Sequence, residues 1–124
     1  MKTHYAVALA IFSAMAGAGL VQTLHAQGKP KAYAVVELDV TDAAKLKPYL
    51  DATGVLVPQA GGRFIAVGGR TLVIGGPPPR SRVNLIEWDS FEQGQAFITS
   101  DAYKKLIPDR EAGSNFRAFL VEGR

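Results

Sequence analysis

Two glutamates and two arginines are the residues of this sequence whose types and spacing could support acid–base chemistry. Glu37 lies in the run VVEL and Glu87 in the run LIEW, and alternation within each run points both away from the apolar positions beside them. Arg63 and Arg117 stand near the start of two other strands, within reach of these carboxylates. A carboxylate in a partly dry cavity gains proton affinity and can act as a general acid or base, while an arginine orients an anionic substrate. The pattern therefore predicts Glu37 and Glu87 as catalytic candidates and the arginines as ligand-binding candidates.

Each of these candidates also has a structural interpretation. The two glutamates and two arginines can satisfy one another as ion pairs at a subunit interface, and we favour this interpretation because such pairs perturb charged groups without any catalysis. Tyr33, Trp88 and Tyr103 are further ligand-binding candidates, since each joins an apolar ring to a polar atom. Aromatic residues of this kind also serve simply as core, and both interpretations stay open. Arg110 is predicted to lie on a solvated helix face.

The positions of histidine, cysteine and methionine limit the chemistry further. The chain has no cysteine, and its histidines and methionines are confined to four positions before Gln27: Met1, His4, Met15 and His25. A chain that begins at Gln27 has no side chain for a Ser-His-Asp or Cys-His mechanism. It equally has none for a thiolate or imidazole zinc site or for a histidine, cysteine or methionine haem ligand. We expect neither a metal nor a cofactor.

The first residues have the pattern of a secretory signal peptide. Lys2 gives a charged start, residues 6–21 form an apolar run, and Leu24-His25-Ala26 resembles a cleavage site. An uncleaved anchor is the weaker alternative, because the run is shorter than the roughly 20 residues that a spanning helix needs. The predicted organisation is a signal peptide at 1–26, a polar lead at 27–31 and one domain at 32–124. We expect export to the periplasm, with no stable membrane anchor after cleavage.

Alternation and capping signals predict the elements that must position these side chains. Strands are expected at 32–40, 63–67, 70–74, 82–88 and 115–122. Helices are expected to begin after a cap at Thr41 or Asp42, at Asp89 or Ser90, and at Ser100 or Asp101. Pro48 is expected to kink the first helix or to begin a second helical piece. Strand and helix follow one another in the order of a split β-α-β, ferredoxin-like α+β domain.

Three glycine pairs, Gly61-Gly62, Gly68-Gly69 and Gly75-Gly76, separate the predicted strands. The middle pair predicts a two-residue hairpin between residues 63–67 and 70–74, because both glycines can take positive φ. A phosphate-binding loop is not expected, since the glycines do not open a helix and no Lys-Ser/Thr pair follows them.

Neither face of the predicted sheet is polar. An antiparallel sheet with one solvated face should alternate cleanly between apolar and polar residues, whereas Tyr33 and Val35 oppose Ala34 and Val36 on the first strand. Two helices can cover only one face. The chain is therefore expected to pair with a second copy, which gives an isologous homodimer with a closed, barrel-like core.

Several of these segments resemble the domain of unknown function 1330 family, within the dimeric α+β barrel superfamily. The similar segments are AYAVVELDVTD (32–42), GGRFIAVGG (61–69), NLIEWDSFEQGQAF (84–97), SDAYKKL (100–106) and FLVEG (119–123). Ala60 departs from the aromatic residue that commonly precedes the glycine pair in the family. The resemblance implies a ferredoxin-like α+β domain that forms a dimeric barrel, and it implies no established activity.

Two functions are compatible with these observations. The first is an exported homodimeric module that binds a small molecule or a partner without chemistry. The second is a cofactor-independent enzyme of the oxygenase or isomerase type, in which Glu37, Glu87 or a tyrosine would do the acid–base work. A nucleic-acid partner is not expected, because without Lys2 the 14 basic residues become 13 against 11 acidic ones, a mild and dispersed excess.

Overall fold

The structure, a computed structural model, describes residues 28–124. The predicted signal peptide at 1–26 lies outside these residues, and so does Gln27, the first residue of the polar lead. Within the described part of the chain, no helix has both the length and the apolar character that crossing a membrane requires.

Four antiparallel strands form a sheet whose order is β2-β3-β1-β4. The strands are β1 (Ala32–Val40), β2 (Arg63–Val67), β3 (Arg82–Trp88) and β4 (Ser114–Glu122). The helices are α1 (Ala43–Gln59), α2 (Phe91–Ile98), α3 (Asp101–Lys104) and α4 (Ile107–Gly113). Pairing of the central β1 with β3 and β4 gives the split β-α-β arrangement, so the predicted ferredoxin-like α+β class is confirmed.

The sheet has an inner face against the helices and an outer face directed away from them. Ala32, Ala34, Val36 and Leu38 of β1 are buried on the inner face. In the register of the sheet, Leu38 is flanked by Arg82 on β3 and Phe116 on β4. Alternation along β1, β3 and β4 therefore assigns their inner-face residues, and the residues between them belong to the outer face. On β2 the register shifts between Phe64 and Ala66, so that Phe64 and Val67 lie beside the inner-face residues Ile86 and Asn84.

Helix α1 is one continuous element from Ala43 to Gln59 with Pro48 inside it, so no separate second helical piece begins at Pro48. Asp42 caps the helix by accepting a hydrogen bond from the Lys45 backbone at 3.1 Å. Leu46, Tyr49, Thr53 and Val57 are all buried and lie three or four residues apart. Tertiary packing of this face outweighs the missing backbone donor of the proline.

The predicted hairpin at Gly68-Gly69 is also wrong, because residues 70–74 form no strand and β2 pairs directly with β3. Gly68 takes a φ of +59°, but Gly69 does not take positive φ, so the type I′ turn that needs both is not made. Residues 69–79 instead form an exposed connection, here called the arm. Within it the side chains of Leu72 and Ile74 are 89% and 100% exposed.

A candidate ligand-binding cavity

The outer face of the sheet carries two separate groups of ion pairs, and the first surrounds Glu87. This carboxylate contacts the Arg63 guanidinium at 2.8 Å and the Lys31 ammonium at 3.0 Å. Arg63 also contacts Asp89 at 2.9 Å, while Ser90 rather than Asp89 caps α2 by accepting from the Gln93 backbone. The register explains the arrangement, because Arg63 lies directly opposite Glu87 on the neighbouring strand.

The second group surrounds Glu37 and holds the end of the arm. The Glu37 carboxylate accepts a hydrogen bond from the Arg80 backbone at 3.0 Å and lies 3.7 Å from the Arg117 guanidinium. Next to it, Asp39 accepts from the Ser81 backbone at 2.9 Å and contacts the Arg80 guanidinium at 3.1 Å. Two carboxylates of β1 thus fix the chain where it enters β3.

The two glutamates lie far apart on the outer face. Glu37 lies opposite Val83 on β3, whereas Glu87 of β3 lies opposite Tyr33. Four residues of extended strand separate these positions, a distance of about 13 Å between backbones. The structure therefore brings each glutamate to an arginine, Arg63 or Arg117, and keeps the two glutamates apart.

The ion pairs of Glu87 predict how stability depends on pH. Hydrogen bonds from Lys31 and Arg63 hold the pKa of the Glu87 carboxyl below its ordinary value of 4.5. A carboxyl whose pKa is lowered in the folded state stabilises it above the unfolded pKa, and this contribution is lost as pH falls through the folded pKa. In urea titrations we expect wild type to be more stable than Glu87→Gln at neutral pH, with the difference shrinking progressively below about pH 4.5. In the Lys31→Gln background, the difference in the free energy of unfolding between the chain that keeps Glu87 and the Glu87→Gln variant should be smaller. If the difference measured in the wild-type background persists unchanged to pH 2, the ion pairs of Glu87 are not its source.

A cavity of about 590 Å³ lies between the inner face of the sheet and the helices. Its wall is largely aromatic and aliphatic, and includes Phe64, Trp88, Phe91, Phe97 and Phe116. Trp88 is 1% exposed and packs against Phe97 with ring centroids 5.2 Å apart. Some wall residues are open to solvent, with Val67 53% and Ile98 38% exposed. Volume and lining are those of a site for a small organic molecule.

At one end of the cavity, two tyrosines and an arginine form a hydrogen-bonded cluster. The hydroxyls of Tyr49 and Tyr103 are 2.9 Å apart, and Arg110 donates to the Tyr103 hydroxyl at 3.1 Å. The Arg110 guanidinium also lies 4.3 Å above the ring of Phe116. The side chain of Arg110 is 16% exposed and lines the cavity, so the prediction of a solvated helix position is wrong. Contacts with Tyr103 of α3 and Phe116 of β4 hold Arg110 at the cavity, and the sequence of α4 alone does not show them.

Protonation in this cluster follows from burial and pairing. Burial, reinforced by the neighbouring Tyr103 hydroxyl, raises the pKa of Tyr49 well above its ordinary value of 10. Burial alone would lower the pKa of Arg110, but its hydrogen bonds to Glu111 and Tyr103 raise it. Near neutral pH, Tyr49 is thus a neutral hydroxyl and Arg110 a cation.

Strand β3 contributes two more polar residues to the cavity, Arg82 and Asn84. The Asn84 side-chain oxygen accepts a hydrogen bond from the Gly68 backbone at 2.9 Å, which leaves the amide nitrogen as a donor. Three buried nitrogens have no protein acceptor among the described residues: Arg82 Nε, Trp88 Nε1 and Arg110 Nε. Buried donors without a partner are costly, so these nitrogens are candidates for contacts to a ligand.

Of the ligand-binding residues predicted from sequence, Trp88 and Tyr103 line this cavity. Tyr33, Arg63 and Arg117 belong to the outer face, like the two glutamates. Sequence reasoning missed Tyr49, Arg82, Asn84 and Arg110. The sequence did contain a signal for the two residues of β3. Arg82 and Asn84 are separated from Trp88 by an even number of positions, so they lie on the same face of the strand. Among residues 28–124, no group of three or more His, Cys, Asp or Glu side chains could hold a metal ion.

Several solved structures match this fold, and two of them show the extent of the likeness. A protein of unknown function from Rhodopseudomonas palustris, RPA0582, is 16% identical with a TM-score of 0.61, over 77% of this chain and 84% of that one. SnoaB from Streptomyces nogalater, a cofactor-independent oxygenase, is 17% identical with a TM-score of 0.55, over 77% of this chain and 94% of that one. At these identities the likeness concerns the fold alone.

The sequence was compared with models of protein families and with curated proteins, and the family comparison gave a match. The family model described as domain of unknown function (DUF1330) matches residues 31–124, which include every strand and helix described above. No curated protein matches the chain significantly.

Proposed function

The chain belongs to the DUF1330 family, and on this premise we propose that it is an exported, homodimeric domain that binds a small organic molecule in the cavity between sheet and helices. The observation that carries the proposal is the cavity itself, with about 590 Å³ of space inside a domain of this size. The cavity is a cleft that is partly open to solvent, since Val67 and Ile98 in its wall are exposed. A concave, largely apolar site with a few converging polar donors is the usual form of a site for a small ligand.

The polar groups of the cavity support binding rather than acid–base catalysis by a carboxylate. Among the described residues, no Asp or Glu lines it, and Glu37 and Glu87 lie on the other side of the sheet. Tyr49 stays protonated because burial raises its pKa. The cavity therefore offers donors, and no strong base, to whatever it holds.

The enzymatic alternative is a cofactor-independent oxygenase or isomerase. SnoaB is described as a cofactor-independent oxygenase and has the same fold, but fold likeness is a weak warrant for activity. In this chain a carboxylate mechanism would require Glu37 or Glu87 to reach a substrate on the outer face, where both are engaged by cations. We therefore prefer the binding function.

The outer face supports the proposed homodimer. Phe119 and Val121 of β4 are 47% and 45% exposed on this face, beside the partly buried Val35 of β1. The root of the arm is fixed to the same face by Glu37 and Asp39, and Leu72 and Ile74 of the arm are largely or fully exposed. Exposed apolar side chains on one face favour an interaction site. We expect a second subunit stacked on the outer face to cover Phe119 and Val121.

Export is supported by the N-terminal pattern alone. Lys2, the apolar run at 6–21 and the Leu24-His25-Ala26 site are together typical of a signal peptide. We propose that the domain works in the periplasm after cleavage near Ala26. The size of the intact protein recovered from the periplasmic fraction tests this directly, and recovery of the uncleaved chain from the cytoplasm would contradict it.

Filling the cavity tests the binding function. Ala118 lies on the inner face of β4 and lines the cavity, yet is exposed enough to accept a larger side chain. Trp88, the single tryptophan of the chain, lies in the wall and reports occupancy by its fluorescence. With the neutral probe phenylbutyramide, we expect Ala118→Phe to weaken binding at least about tenfold, which is about 1.4 kcal/mol.

The control for this experiment is Ala96→Phe, an exposed position of α2 that does not line the cavity. It should bind the probe like wild type. Ala118→Leu, which adds less volume, should give an intermediate loss. Equal binding by Ala118→Phe and Ala96→Phe, with both variants folded, would contradict the cavity as the site.

A further inference from the structure

We propose that the ligand of this cavity carries an acidic group, and that Arg82 and Asn84 of β3 hold that group. This inference rests on the proposed binding function and specifies the class of ligand. The ligand is then an organic acid with a compact apolar body, whose carboxylate lies at Arg82 and whose body lies among the aromatic side chains.

The charge of the cavity wall is the first argument. Among the described residues, the charged side chains that line the cavity are Arg82 and Arg110, and both are cations. Arg110 is partly neutralised by Glu111 at 2.6 Å. Arg82 belongs to none of the ion pairs of the described residues. An uncompensated guanidinium beside low-dielectric walls creates a positive potential that favours an anionic ligand.

The second argument is the buried Nε atom of Arg82, a residue that is partly buried as a whole. This Nε has no hydrogen-bond acceptor in residues 28–124. The side chain packs beside Gly68, where a Cβ would lie 3.5 Å from the same Nε. A carboxylate can accept two hydrogen bonds from the planar guanidinium, which satisfies the buried nitrogen as well as the charge.

Asn84 supplies a second donor at the right place. It lies two residues from Arg82 on the same face of β3, about 7 Å away along the strand. The Gly68 backbone holds its side-chain oxygen, so the amide is fixed with its nitrogen free to donate. Asn84 as a whole residue is 8% exposed and lines the cavity. Arg82 and Asn84 together therefore present a charged fork and a neutral donor to one oxygen-bearing group.

The remaining walls determine the rest of the molecule. Phe91, Phe97, Phe116 and Trp88 line the cavity and favour an aromatic or branched aliphatic body. A ligand of this class gains affinity from burial of its body and specificity from its acidic group. The sheet supplies the acidic group's partners, and the helices supply much of the apolar wall.

Two matched probes test the inference, phenylbutyrate and its neutral amide phenylbutyramide, which differ only in the terminal group. Binding is followed by Trp88 fluorescence in the intact mature protein. We expect wild type to bind the acid at least about tenfold more tightly than the amide, as a charge-assisted hydrogen bond implies. Arg82→Gln should remove this preference by weakening the acid about tenfold, while the affinity for the amide changes less than about twofold. Arg82→Lys should retain part of the preference, because it keeps the charge without the fork.

The matched control is Lys104→Gln, which removes the same charge from an exposed position that does not line the cavity. It should leave both affinities unchanged, which distinguishes a local contact from a change of net charge. Equal affinity of wild type for acid and amide would overturn the acidic subsite and leave the binding cavity standing. If the acid preference persists in Arg82→Gln, the assignment to Arg82 is overturned. Binding of neither probe at millimolar concentration would overturn the cavity proposal together with this one.

Discussion

Gly113→Ala is expected to lower the free energy of unfolding by on the order of 3 kcal/mol, which for a domain of this size is a fall in Tm of about 12 °C or more. A Cβ at this position would lie 2.5 Å from the backbone nitrogen of Leu46 and 2.7 Å from its Cα. Backbone atoms of a buried helix cannot move aside as a flexible side chain can. The Gly113 carbonyl also accepts hydrogen bonds from Thr41 and Asp42 at 2.9 and 3.1 Å, so a shift of α4 would break the junction to α1.

Gly54→Ala is the control for this prediction. Gly54 lies inside α1, and a Cβ there would meet no atom within 4 Å outside its own helix. Alanine in a helix interior is favoured over glycine, so this variant should gain about 0.5–1 kcal/mol. Thermal and urea unfolding followed by circular dichroism compare the two. Similar effects of both substitutions would show that the contact between α4 and α1 is looser than described. Because α1 carries Tyr49 and α4 carries Arg110, Gly113→Ala should also weaken probe binding.

A charge on the outer face is expected to separate the proposed dimer. Phe119→Asp should raise the dissociation constant of the dimer by about 100-fold or more, equivalent to about 2.7 kcal/mol. The reason is that a charged side chain would replace a large apolar one in the interface, where removing the carboxylate from water costs free energy even with Arg117 nearby. In a single subunit the position is 47% exposed, so the substitution should change the stability of the monomer little. Sedimentation velocity over a concentration series measures the equilibrium.

Two further variants sharpen this test. Val55→Asp places the same charge on α1, away from the outer face, at a residue that is 56% exposed, and it should remain dimeric. Leu72→Ser combined with Ile74→Ser removes apolar surface from the arm and should weaken the dimer if the arm takes part in the contact. A wild-type chain that is folded and monomeric at micromolar concentration would contradict the homodimer. So would an unchanged dissociation constant in Phe119→Asp.

The sequence predicts much of the fold because its signals are local. Alternation along residues 32–40 places Leu38 and Ala34 on one face and Glu37 on the other, as the structure has them. The prediction of secondary structure failed where a short sequence pattern favours one strand pairing and the sheet as a whole favours another. Gly68-Gly69 is compatible with a tight hairpin, but β2 obtains its hydrogen bonds from β3, which is more distant in sequence. Helix α1 similarly continues past Pro48 because its buried face packs against the sheet.

The candidate site was less accessible to sequence reasoning. Glu37 and Arg117 were predicted to approach each other, and they do so at 3.7 Å. Alternation cannot say which face of a sheet encloses space, however, so the carboxylates drew attention to the outer face while the cavity lies behind the inner one. Arg110 reaches the cavity by stacking on Phe116, a contact that depends on how α4 turns into β4. The spacing of residues within α4 does not predict the direction of this turn.

The arm is a segment whose length can change while the sheet stays the same. Its two ends are tied independently of its middle, at Gly68 by the backbone of Val83 and the side chain of Asn84, and at Ser81 by Asp39. Lengthening a flexible loop whose ends are already fixed costs little, roughly 0.6 kcal/mol for each doubling. Residues could therefore be inserted or removed between positions 69 and 79 without shifting the register of β2 on β3. This segment is the natural place to graft a foreign peptide or an affinity tag.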